Sequence, residues 1–152
     1  MSDAFVGTPA AAVIDPRGPR FAAAVTTVVL AVSLVTGSGP LLAAQTLVFA
    51  VGALLGLRYS PYGLLYRAVL RPRLGPPEDV EDERPPRFAQ AVGLGFGVLG
   101  TIGYLVGPVW LGIAACAGAL AAAFLNAAFG YCLGCELYLL AVRLRGAEPD
   151  RG

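Results

Sequence analysis

Two long stretches of this chain carry no charged side chain: the 37 residues between Arg20 and Arg58 (21–57) and the 48 between Arg87 and Glu136 (88–135). About 18 consecutive apolar residues are enough to mark a membrane-crossing helix. A chain of 152 residues has no soluble core large enough to hide both stretches. Charged residues make up 14% of the chain and hydrophobic ones 57%, where soluble domains carry ~25% charge. These features predict an all-α, polytopic integral membrane protein whose first partner is the lipid bilayer.

A single helix of 37 residues would be about 55 Å long, well beyond a ~30 Å hydrocarbon core. The first stretch must therefore fold back. Gly37-Ser38-Gly39-Pro40 lies near its middle, and Gly107-Pro108 takes the same place in the second. Four transmembrane helices are expected, at about 21–36, 41–57, 88–106 and 109–130. Trp110 and Tyr104 flank the second turn, as amphipathic aromatics do at a bilayer interface. Arg17 and Arg20 flank the first helix, and the chain stays strongly apolar after it, which reads as a retained helix and not a cleaved signal.

The arginines set the orientation. They fall in the N-terminal tail (1–20), the central loop (58–87) and the C-terminal tail (144–152, with Arg143 at its edge), and none lies in either hairpin turn. An even number of crossings puts all three segments on one side, and the positive-inside rule makes that side cytoplasmic. The expected location is the inner (plasma) membrane, multi-pass, with both termini in the cytoplasm. Within the central loop, Tyr62 to Leu70 mixes leucines and tyrosines with Arg67 and suits a short interfacial helix. Pro72, Pro76 and Pro77 are expected to end it, and the acidic run from Glu78 to Glu83 to form a solvated linker.

The two halves resemble one another. Pro19-Arg20-Phe21-Ala22 enters the first hairpin and Pro86-Arg87-Phe88-Ala89 the second. The exits also match, Ser60-Pro61-Tyr62-Gly63-Leu64-Leu65-Tyr66 against the segment from Tyr131 to Tyr138. Two helices per unit imply a parallel duplication. Gly52, Gly56, Gly93, Gly97, Gly100 and the alanines of 114–123 mark faces where membrane helices approach closely. Gln45 and Asn126 are expected to face the bundle and bond between helices.

Net charge is +1 and every basic residue is arginine, so no global field draws in nucleic acid. The chain has no His, which removes the usual neutral-pH base and the commonest metal ligand. No Asp, Glu, Lys or Arg lies within the spans, which counts against an ion-coupled transporter.

One constellation carries chemistry. Cys132-Leu133-Gly134-Cys135 is a C-x-x-C motif at the cytoplasmic end of the fourth helix, with the spacing of dithiol/disulfide exchange or of half a metal site. If that helix runs through the motif, its negative dipole end disfavours thiolate. If Gly130 ends it and Cys132 opens a new helix towards Arg145, the positive end favours thiolate. Glu136 works against this. A zinc site would need a dimer pooling two motifs, whereas Cu(I) accepts two sulfurs; no metal or other cofactor is expected. Cysteine also packs as a small apolar residue, the reading given to Cys116.

The opening Asp15-Pro16-Arg17-Gly18-Pro19-Arg20-Phe21 and the closing Phe129-Gly130-Tyr131-Cys132-Leu133-Gly134-Cys135-Glu136-Leu137-Tyr138 resemble the D-P-R-x-x-R-F and F-G-[FY]-C-x-G-C-x-x-Y patterns of an uncharacterised bacterial membrane family, a domain of unknown function. The resemblance covers Val13 to Arg143 and implies four membrane helices and no particular activity. Members of that family occur alongside thioredoxin-like and rhodanese-like proteins, which implies a soluble partner of that kind.

Three functions follow as expectations. The first is thiol redox or sulfur transfer, with Cys132 attacking and Cys135 resolving. The second is a membrane scaffold or assembly subunit without chemistry, and the third a small-solute channel or carrier. A homo-oligomer is compatible with each.

Overall fold

A computed structural model of the protein describes residues 13–146; most of the N-terminal tail and Arg151 lie outside them. The first helix, α1 (Arg17–Thr36), begins one turn before the apolar pattern does. The Asp15 carboxylate accounts for this: it accepts the Arg17 backbone N–H at 3.0 Å and pairs with the Arg17 guanidinium at 2.9 Å. α1 ends at Gly37, where φ is 64°, a left-handed conformation that costs least without a Cβ. Ser38 then caps α2 (Gly39–Ala50), its hydroxyl accepting the Leu41 N–H at 3.1 Å, with Pro40 in the first turn. A π turn, Val51–Leu55, completes α2 before the chain breaks at Gly56.

A 3-10 turn (Leu57–Tyr59) leads to α3 (Pro61–Leu65), which runs through a second π turn (Tyr66–Leu70) into α4 (Arg71–Leu74). The interfacial helix is therefore longer than expected. Pro72 does not end it, because in the wide turn before it the Arg71 N–H reaches back to Tyr66 O; Gly75 does. A short strand, β1 (Val13–Ile14), pairs antiparallel with β2 (Glu81–Asp82), Ile14 opposite Glu81. This two-residue ladder is the one departure from an all-helical fold among the described residues. The acidic run departs from a solvated linker only at its last two residues, since Glu78, Asp79 and Glu81 are exposed. Asp82 pairs with Arg84 at 2.6 Å, and Glu83, only 7% exposed, accepts the Leu57 N–H at 2.8 Å. The break at Gly56 frees that N–H, and a buried donor requires an acceptor.

The second half holds α5 (Arg84–Leu105), α6 (Val109–Phe129) and α7 (Leu133–Gly146). α1 packs on α6, α2 on α5, and α5 on α6. Leu30, Leu42, Phe49, Cys116 and Ala119 form the core, with Cys116 Sγ 3.5 Å from Leu30 O. The glycines of α5 set the helix spacing. A Cβ at Gly93 would lie 2.7 Å from Phe49, and one at Gly100 2.7 Å from Leu42. Tyr104 differs from expectation: its ring covers Gly112 and its hydroxyl is buried, so only Trp110, 68% exposed, stands at the turn as an interfacial aromatic.

The outer surface is apolar. Val28, Val32, Leu47, Val98, Ile113 and Phe124 are all exposed, a distribution that belongs in lipid and not in water. α1, α5 and α6, of 20, 22 and 21 residues, are each long and apolar enough to cross a membrane. The remaining apolar helix, Gly39–Leu55, is shorter.

Candidate functional site

The motif sits where α6 gives way to α7. Gly130 takes φ 69° and its N–H bonds to Asn126 O, closing α6. Two residues later the chain turns into α7. The Cys132 carbonyl accepts the Glu136 N–H at 3.0 Å, and Cys132 Sγ accepts the Cys135 N–H at 3.1 Å. Cys132 is thus the N-cap of α7, its sulfur in the place usually held by a serine or aspartate oxygen. Of the two arrangements open from the sequence, this is the one with the motif at a helix start. The Cα atoms of Cys132 and Cys135 are 5.2 Å apart and their sulfurs are joined as a disulfide.

The motif is held against α5. A Cβ at Gly134 would lie 2.5 Å from Ala89 Cβ and 2.6 Å from Ala89 Cα, so the backbone of the motif touches that helix directly. One turn on, the Tyr138 ring meets Phe88 with centroids 5.7 Å apart. Both cysteines are half-buried. Beyond them α7 exposes Leu137, Leu140 and Leu144 beside Arg143 and Arg145, the composition of a helix lying at a bilayer surface.

The disulfide lines a cavity of about 1030 Å³ that enters the bundle from the arginine-bearing face. Arg20, Asn126, Gln90 and Thr26 add polar groups to its wall, and Phe49, Phe96 and Ala119 line its inner part. Asn126 therefore faces the cavity. Gln45, the other polar residue singled out, is 1% exposed and accepts the Tyr62 hydroxyl at 2.6 Å from outside α2. Gln90, which also lies in the second charge-free stretch, was passed over in the sequence although its amide is as polar as those of Gln45 and Asn126.

Arg20 is the site residue that sequence reasoning missed, having read it only as a marker of topology. Its guanidinium lies over Gly130, with Cζ 3.6 Å from where a Cβ would stand, and donates to Ala127 O at 3.1 Å. At the rim, Asp15 is held at about 2. The Arg17 guanidinium bonded to it is the chief cause; burial opposes it, and the Arg17 backbone N–H and the Tyr66 hydroxyl (2.8 Å) add to the lowering. Asp82 is lowered in the same way by Arg84. Burial, reinforced by that bond to Asp15, pushes the Tyr66 hydroxyl up.

Among the described residues no group of three or more His, Cys, Asp or Glu stands together to hold a metal ion. A single chain there offers two sulfurs, which could serve Cu(I) but not tetrahedral zinc. No curated protein and no solved structure matches the chain. The model of the family described as Domain of unknown function (DUF4395) matches residues 14–143, and the chain belongs to that family.

Proposed function

We propose that this is a four-span protein of the inner membrane, with both termini cytoplasmic, that exchanges electrons with a soluble thioredoxin-like or rhodanese-like partner through Cys132 and Cys135. The observation that carries this reading is the disulfide at the N-cap of α7, with the Cys135 N–H directed at Cys132 Sγ. A thiolate released at Cys132 meets that N–H and the positive end of the helix, which stabilises it relative to the thiol.

The step is a two-electron exchange. A partner thiolate attacks Cys132 Sγ, the Cys132–Cys135 bond breaks, and Cys135 leaves as a thiolate that takes up a proton. The partner's second thiolate then attacks its own sulfur in the mixed disulfide and expels Cys132. The chain gains two electrons and two protons, and the partner dithiol becomes a disulfide.

Four spans require the helix Gly39–Leu55 to cross. Its 17 residues extend about 26 Å and stand at the lower end of the spanning range. Two features support the duplicated, parallel arrangement. Phe21 meets Tyr66 at 5.9 Å as Phe88 meets Tyr138 at 5.7 Å. Arg20 holds Ala127 O near the end of α6, as Arg87 holds Ala53 O and Leu54 O at the end of the first hairpin. Each hairpin's entry arginine thus clasps the exit of the other.

Thiol trapping in acid-quenched membranes tests the function. Wild type should show a reducible Cys132–Cys135 bond. In Cys135→Ser the Cys132 thiolate, running the exchange in reverse, should attack an oxidised soluble partner and stay trapped in the mixed disulfide, because Cys135 is absent to resolve it. Free thiols under every condition, oxidant challenge included, would leave a scaffold as the reading.

A further inference from the structure

The two entry arginines are used differently. Arg87 commits Nε and Nη2 together to Ala53 O and Nη2 also to Leu54 O, at 3.0 to 3.1 Å. Arg20 makes one hydrogen bond among the described residues, from Nη2 to Ala127 O. Its Nε and Nη1 lie over Gly130, two residues before Cys132, and Arg20 is an exposed residue on the wall of the cavity that the disulfide lines. Nη2 alone secures the end of α6, so two donor groups and the positive charge remain on the wall of the cavity that Cys132 and Cys135 also line. Of the acids that line the cavity, Asp15 pairs with Arg17, Asp82 with Arg84, and Glu83 accepts the Leu57 N–H; Glu81 and Glu136 line it as well.

We infer that the cavity admits a second substrate for the Cys132–Cys135 pair, a low-molecular-weight thiol or disulfide bearing an anionic group, with Arg20 binding that anion. The inference rests on the thiol reading above and supplies what it lacks. A dithiol that cycles needs one partner to reduce it and another to oxidise it. A soluble protein meets the motif from the cytoplasm. A volume of about 1030 Å³ is on the scale of a small-molecule site. A guanidinium offers charge and paired donors suited to a carboxylate, sulfonate or phosphate.

The chemistry balances in both directions. With a small thiol as reductant, R–S⁻ attacks Cys132 Sγ, the Cys132–Cys135 bond breaks, and Cys135 takes up a proton. A second R–S⁻ attacks the R sulfur, releasing R–S–S–R and the Cys132 thiolate. The chain gains two electrons and two protons, and two thiols become one disulfide. In reverse, the anionic disulfide oxidises the dithiol.

The test uses the purified, oxidised full chain and three probes at equal thiolate concentration: 2-mercaptoethanesulfonate, 2-mercaptoethanol and cysteamine. Loss of the Cys132–Cys135 bond is followed by maleimide mass-tagging. The sulfonate should react about tenfold faster than the neutral thiol, the size of effect one charge-assisted contact confers, and cysteamine more slowly than either. Arg20→Gln should bring the sulfonate-to-neutral ratio towards one, and Arg20→Lys should keep much of it. Equal rates for the three probes on wild type would overturn the inference, as would an unchanged ratio in Arg20→Gln. If Arg20→Gln fails to fold, equal rates for the three probes on wild type still overturn the inference, and Arg20→Lys separates Arg20 from Arg58, Arg67 and Arg71, which line the same cavity. Dithiothreitol separates the two levels: absence of any bond it can reduce removes the thiol reading itself, whereas ready reduction without charge preference removes only the anionic substrate.

Discussion

Gly134→Ala tests whether the motif is fixed in place by its packing on α5. The added Cβ would stand 2.5 Å from Ala89 Cβ and 2.6 Å from Ala89 Cα, where non-bonded carbons settle at about 3.5–4.0 Å. Relief requires a movement of about 1 Å, and the obstacle is main chain, so no rotamer change supplies it. Overpacking of this kind costs about 1–3 kcal/mol. The start of α7 must then lift from α5, taking Cys132 and the Phe88–Tyr138 ring pair with it. Thermal unfolding of the purified protein should show the destabilisation, and Cys132–Cys135 bond formation should slow in the same variant. Gly95→Ala is the control. It sits on α5 with nothing within 4 Å of its added Cβ, so better helix propensity should stabilise it by about 0.5–1 kcal/mol. Adding Ala89→Gly to Gly134→Ala should rescue only in part, because the new methyl still meets the main chain at position 89. A Gly134→Ala protein as stable as wild type, with unaltered oxidation, would refute the docking of α7 on α5.

Two further predictions concern the ends of the helices. In fully reduced protein, Cys132→Ala removes the acceptor for the Cys135 N–H and should cost about 1 kcal/mol more than Cys132→Ser, whose hydroxyl keeps the cap; equal unfolding midpoints would show that the sulfur does not act as one. Asp15 carries a pH dependence. Its folded-state value of about 2 lies below the ordinary 3.8, so its contribution is complete above the ordinary value and is lost as pH falls through about 2. Unfolding midpoints measured from pH 5 down to 2 should fall more steeply in wild type than in Asp15→Asn; parallel curves would contradict the assignment.

The membrane character and the helical breaks were legible because they rest on strong local signals: the absence of charge over long runs, and glycine or proline at the turns. The bounds of α6 were nearly complete on that basis, since Gly130 takes the left-handed conformation that stops it. What the pattern could not give depended on partners distant in sequence. Asp15 starts α1 through Arg17, but it is also tied to Tyr66 across the fold. Glu83 is buried because Gly56 leaves Leu57 without an acceptor, which nothing in an acidic run announces. The C-x-x-C was visible, and its two dipole environments could be stated but not chosen between. The choice depended on where α7 packs, and hence on Gly134 against Ala89. Arg20 was hidden by its other duty, since any arginine at a span end satisfies the charge rule.

The proposed duplication bears on whether the cysteines serve chemistry or packing. The exit helices share a frame. Ser60 is the N-cap of α3 and its carbonyl accepts the Leu64 N–H at 2.9 Å, as the Cys132 carbonyl accepts the Glu136 N–H at 3.0 Å. Six residues after each cap stands a tyrosine, Tyr66 or Tyr138, packed on the phenylalanine that enters the same hairpin. In this frame Ser60 corresponds to Cys132 and Gly63 to Cys135. The first exit therefore turns and docks its helix without any sulfur, and without a side-chain cap from Ser60, so the geometry of such an exit does not require a cysteine pair. A packing role would also place the cysteines where apolar volume is needed, but both are half-buried on the wall of an open cavity. A Cys132→Ser, Cys135→Gly variant, which restores the first exit's residues at both positions, should then fold and insert as wild type does while losing all mixed-disulfide trapping. Failure to insert would return the pair to a structural role.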